Sequence, residues 1–180
     1  IHSHLLWLGL LADALGFEGL FMESWRVREK ILDMFDETTG GRIIHSVNQV
    51  GGVQKDMDSD MLKHLLDTIK DIERDIRPLV STFLQDYTVQ SRLKGTGVLK
   101  KEDAIFLGAV GPMLRASGVE YDARVLGYGA YKHLSVEPII STEGDSYGRC
   151  EVRLKELFQS FDLIREAVGK LPEGEINVPV

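Results

Sequence analysis

Apolar side chains run almost all round residues His2 to Gly16, the pattern of a helix buried on every side. From Gly19 to Thr39 the pattern becomes one-sided. Phe21, Trp25, Ile31, Leu32 and Phe35 share a face opposite Arg, Glu, Lys and Asp, which predicts an amphipathic helix stopped by Gly40-Gly41. Arg42 to Val50 turns β-branched, with Ile43, Ile44, Val47 and Val50, and predicts a strand or short hairpin running into a tight turn at Gly51-Gly52. A long stripe follows, from Leu62 through Ile69, Ile72, Ile76 and Phe83 to Tyr87, and predicts one helix capped at Asp58 or Ser59, kinked at Pro78 and broken only at Gly95 to Gly97. A short helix fits Glu102 to Leu107. The glycine-rich stretch from Gly108 to Thr142 predicts irregular chain with short pieces, where binding loops tend to sit. Leu154, Leu157, Phe161, Ile164 and Val168 then mark a last helix from Ser146 to Leu171, ended by Pro172 and Gly174.

Four helices with one or two small strands give an α+β chain, predominantly α: a helical bundle with a small β-sheet. A length of 180 residues suits a single domain, residues 1–180. A net charge of −7 with no basic stripe argues against nucleic acid as a partner. The apolar run Leu5 to Leu11 is too short to cross a bilayer, so the chain is not expected to be transmembrane itself. Cys150 is the single cysteine, which excludes an internal disulfide and any cysteine-pair metal site and leans towards a cytoplasmic setting. The opening at Ile1, inside an apolar helix pattern, reads as an internal piece of a longer protein.

Four motifs in register carry a resemblance. His2-Ser3-His4-Leu5-Leu6-Trp7-Leu8-Gly9 is followed by Arg26, Arg28, Glu29, Asp33, Thr39, Gly40 and Arg42 in the pattern R-x-R-E-x-x-x-D-x-x-x-x-x-T-G-x-R, and then by Val50-Gly51-Gly52-Val53 and Asp56. Glu102-Asp103-Ala104 precedes Gly111-Pro112-Met113-Leu114-Arg115-Ala116-Ser117-Gly118-Val119, with Asp122 and Arg124 beyond. Gly144-Asp145-Ser146-Tyr147-Gly148-Arg149 opens the last helix, followed by Val152-Arg153, Glu156 and Ser160. Together they resemble the large subunit of energy-converting, membrane-bound nickel-iron hydrogenases, homologous to the 49 kDa quinone-site subunit of respiratory complex I.

That resemblance implies a large subunit pressed against an iron-sulfur small subunit, with membrane-arm subunits nearby, peripheral on the cytoplasmic face of the membrane. In the hydrogenase branch two cysteine pairs, one near each end of the full subunit, hold the nickel-iron centre, and neither pair is in this sequence. The expectation is therefore a piece that binds no cofactor and is inactive alone, whose parent works with a nickel-iron centre or a quinone. Cys150 is read as a small buried hydrophobe. The quinone branch carries an Asp directly before the Leu-Gly at the end of the first helix, where this chain has Ala14-Leu15-Gly16 with Asp13 one place early. One place is a turn of about 100° on a helix, so the hydrogenase branch is the leading expectation and the quinone branch the alternative.

Six side chains are candidates for lining a cavity or relaying protons: His4, Arg42, His45, Arg115, Asp145 and Arg149. His2 and His4, two apart, cannot share a helix face, and the resemblance favours His4. Gly51, Gly52 and Val53 form a candidate binding loop, although a turn alone explains the glycines; no G-x-G-x-x-G opens a helix, so nicotinamide binding is not supported. Asp145 and Arg149, spaced i, i+4, are as readily a helix-start pair as a functional one. The charges on the second helix read as a solvated face with some interface pairs.

Overall fold

A computed structural model describes residues 1–178. The elements are helices α1 (His2–Ala14) and α2 (Glu18–Thr39), strands β1 (Asn48–Gln49) and β2 (Gly52–Val53), helices α3 (Ser59–Gln85), α4 (Tyr87–Leu93), α5 (Lys101–Phe106) and α6 (Gly111–Arg115), 3-10 turns at Ala123–Leu126 and Gly129–His133, and helix α7 (Ser146–Gly169). α1 and α2 form a hairpin of helices, α3 packs on α2 and α7, and α7 also meets α1, α4 and α6. One core joins Leu5, Leu8 and Ala12 of α1 to Val27 and Ile31 of α2, Ile69, Ile72 and Ile76 of α3, and Leu154, Leu157 and Phe161 of α7. Helix-on-helix packing of this kind buries each apolar stripe against another, and the β1–β2 pair takes no part in it.

The predicted bundle and small sheet are present, with three local departures. The long helix does not run to Gly95: it stops at Asp86, whose backbone is extended and whose carboxylate accepts hydrogen bonds from the Thr88 and Val89 amides at 2.8 and 3.0 Å, starting α4 afresh. The stripe survives the break because α4 still buries Val89 and Leu93. Pro78, on the exposed side of α3, lies within a helix that continues through it.

The second departure is at the predicted strand. Residues 42–46 are not extended pairing chain. Gly40 takes the left-handed conformation that ends α2, and Arg42 folds back onto α2, pairing with Asp33 and with Glu29 at 2.5 Å. Only Asn48–Gln49 and Gly52–Val53 pair, as an antiparallel hairpin, and its third member comes from far along the chain: Val53 donates to the Ile176 carbonyl at 3.2 Å and Val178 to that of Gly51 at 3.0 Å. The third lies at the start of α7. Asp145 and Arg149 form no ion pair with each other among the described residues. Asp145 instead caps α7 through the Gly148 amide at 2.9 Å and takes the Gly95 amide at 2.7 Å, while Arg149 donates to the Gly97 carbonyl at 2.7 Å.

Candidate functional site

The open end of the bundle, where the start of α1 meets the end of α2 and the last turns of α7, encloses a cavity of about 730 Å³. Its floor is the continuation of the core stripes, with Ile31, Met34, Ile69, Leu163 and Ile164. Its polar wall carries His2, Arg42, His45, Arg124 and Tyr131, and among the described residues no carboxylate side chain lines it. His2 and His45 flank the Phe35 ring, with ring centres 5.9 and 4.5 Å from it. Burial, then the nearby Arg28 charge, lowers the pKa of His2, which favours the neutral imidazole. Its Nε2 is buried with no hydrogen-bond partner among the described residues. A buried polar atom left without a partner is costly, and this nitrogen is sealed within the packing behind the cavity wall rather than presented to the cavity.

Beside the cavity runs a chain of ionisable side chains. Arg124, in the cavity wall, holds Asp122 at 2.6 and 3.0 Å. Asp122 lies 3.3 Å from Arg115, and Arg115 donates to Glu156 from Nε at 2.8 Å and from its terminal nitrogen at 2.6 Å. Glu156 in turn meets His4 Nε2 at 2.6 Å. The Arg115, Asp122 and Glu156 side chains are all under one-tenth exposed, whereas that of His4 is 21% exposed. Burial alone would raise the pKa of Glu156, but the hydrogen bond from His4 and the charge of Arg115 more than reverse this and hold it below the ordinary value. The hydrogen bonds of Arg124 do the same for Asp122.

The six candidate side chains thus divide. Arg42 and His45 line the cavity; His4 faces α7, and the place in the cavity wall expected of His4 is taken by His2. Arg115 belongs to the buried ion chain. Asp145 and Arg149 stitch the start of α7 to residues 95–97, away from the cavity wall. Around Gly51, Gly52 and Val53 the occupant is the chain's own tail: a Cβ on Gly52 would collide with the Ile176 carbonyl and lie 2.6 Å from Asn177 Oδ1. Sequence reasoning passed over Glu156, Asp122 and Arg124 as site residues, although all three stand in the motifs that carry the resemblance. A glutamate at an inward position of a helix face shared with Leu157 and Phe161 was the available signal for a buried charge.

The donor set decides which groups fit. Cys150 is fully buried, and burial pushes its thiol pKa up to about 12, so it supplies no thiolate, and one sulfur cannot do the work of four. The residues present do not fit a nickel-iron centre. The apolar cavity, with Arg42, His45, Arg124 and Tyr131 in its wall, does fit a flat, mostly apolar group carrying hydrogen-bond acceptors.

The bundle is shared with a chain of an archaeal respiratory membrane complex. Over 99% of this chain and 48% of the other, it matches a chain in the structure of the membrane-bound sulfane sulfur reductase, an archaeal respiratory membrane complex, with a TM-score of 0.91 at 31% sequence identity. Residues 14–180 match the family described as respiratory-chain NADH dehydrogenase, 49 Kd subunit, and the chain belongs to that family. It is 41% identical over 175 residues to the C/D subunit of the NADH-quinone oxidoreductase of Bacteroides thetaiotaomicron, covering 97% of this chain and 33% of that protein. It is 35% identical over 185 residues to the alpha subunit of the membrane-bound hydrogenase of Pyrococcus furiosus, covering 98% and 43%. The chain therefore spans between a third and a half of the length of these relatives. Both branches anticipated from the motifs are represented among them.

Proposed function

We propose that this chain is the central portion of the large subunit of a membrane-associated redox complex, exchanging electrons with an iron-sulfur small subunit, and that its cavity receives a quinone headgroup. The observation that carries this reading is the cavity itself: an apolar floor of the right size for a small aromatic group, walled among the described residues by donors and cations with no carboxylate. Arg124 and Tyr131 of the wall would hold the carbonyl oxygens, and the quinone would supply two-electron, two-proton redox chemistry. Peripheral attachment on the cytoplasmic face, next to membrane-arm subunits, belongs to the same reading. No helix of the described residues is long and apolar enough to cross a membrane.

A hydrogenase reading is favoured by the His2 to Trp7 run, by Asp13 standing exposed one place from the position the quinone branch uses, and by the Pyrococcus furiosus relative. In that reading the sulfur donors for the nickel-iron centre come from outside these 180 residues, and this chain provides the bundle and its buried charges. The full-length protein with its partners separates the two. Quinone reduction with no nickel in the purified complex is the expected result; stoichiometric nickel with hydrogen evolution from a reduced viologen overturns the quinone assignment and installs the hydrogenase one. A complex with neither activity overturns both.

A further inference from the structure

We infer that His4 and Glu156 form a proton-loading pair, which takes a proton from solvent when an electron enters the adjacent cavity and returns it when the electron leaves. The inference rests on the redox reading above and adds to it a named site. His4 Nε2 and Glu156 Oε2 are 2.6 Å apart, within hydrogen-bond distance, so the two groups can share a proton. The carboxylate is sealed inside, and the imidazole reaches solvent.

Charge counting supplies the coupling. Two arginines, Arg115 and Arg124, balance two carboxylates, Asp122 and Glu156, when His4 is neutral, so a proton on His4 leaves the chain of five with one net positive charge. Arg153 of α7 is the further cation acting on Glu156, and it stacks over Trp7 of α1 with 4.0 Å to the ring centre. Negative charge arriving in the cavity beside Arg124 meets one end of a contiguous run of ion pairs whose inner members, Asp122, Arg115 and Glu156, are sealed from solvent, and that run carries its influence to Glu156. The electron comes from the iron-sulfur partner and stays in the cavity. A proton leaves a solvent water cluster, an N–H bond forms on the His4 imidazole, and no bond between heavier atoms changes.

The test uses the complex containing the full-length subunit, with decylubiquinone as the cavity probe and dithionite as reductant, followed by infrared difference spectroscopy in water and in heavy water. Imidazole and carboxylate difference bands are expected on reduction, sensitive to deuterium, lost in His4→Gln and Glu156→Gln, and shifted but retained in Glu156→Asp. The aspartate variant keeps the charge and guards against a glutamine variant that fails to assemble. Wild-type complex that reduces decylubiquinone without those bands, or glutamine variants that keep them, overturns the inference and leaves the redox reading standing. Wild-type complex that neither binds nor reduces the probe overturns the quinone reading and the inference with it.

Discussion

Arg115 and Arg42 show how differently two arginines of the same motif set behave. Arg115 is 6% exposed and satisfies two buried carboxylates, whereas Arg42 sits at the surface with Asp33 and Glu29. Removing one partner of a buried network strands the others, so Arg115→Ala is expected to cost about 3–5 kcal/mol. Arg42→Ala is expected to cost far less, because exposed pairs contribute little. Urea unfolding of both variants makes the comparison, and equal losses would contradict it. Cys150 offers a second check at this scale. With its thiol buried and its pKa up to about 12, iodoacetamide at mildly alkaline pH is expected to leave the native protein unlabelled and to modify the urea-unfolded chain once, as read by mass spectrometry. Its burial was legible from a cysteine placed among core positions of a helix. The partners of Arg115 were not, since Glu156 lies 41 residues away and no local pattern announces the pair.

Helix positions were legible where a stripe was long, as in α2, α3 and α7, because periodicity records which face is dry. The break at Asp86 was missed for the same reason: a stripe that continues across a single capping residue reads as one helix. Of the strand or hairpin expected from Arg42 to Val50, Asn48–Gln49 pairs but residues 42–46 do not, because β-branched side chains resemble a strand even where an ion pair bends the chain back, and Ile43 and Ile44 lie exposed in the result. Gly9 gives a prediction for how α1 and α2 fit together. A Cβ there would lie 2.7 Å from Cδ1 and Nε1 of the Trp25 ring, so the helices approach closely at that point. Gly9→Ala is expected to cost about 1–3 kcal/mol by overpacking and to change the tryptophan emission of the folded protein. Unchanged stability and emission would show that the ring moves aside freely.

At the level of the whole molecule, the carboxylates that tie helices together share one direction of shift. Hydrogen bonds from Arg165 hold Glu73 below its ordinary pKa, those from Lys30 hold Asp75 below it, and Asp122 and Glu156 follow through Arg124, His4 and Arg115. A carboxylate whose pKa is lower folded than unfolded adds stability that is complete above the unfolded value, about 4, and is lost as pH falls through the folded value. The urea midpoint is accordingly expected to vary little with these groups above about pH 5 and to drop as the medium is acidified below that. A midpoint that rises on acidification would contradict the assignment. Overall class was readable from patterning and the family from motifs, but the cavity was not, because it is made where three helices end and no one of them encodes it.

The bond between His4 and Glu156 also has a consequence for how the protein is made. A ribosome releases the histidine long before the glutamate exists, and Arg115 likewise emerges ahead of the carboxylate that will neutralise it. Until α7 leaves the exit tunnel, His4 and Arg115 lack the carboxylate they share, Asp122 alone serves Arg115, and the nascent helices can gather only loosely around an interior whose central acceptor has yet to be made.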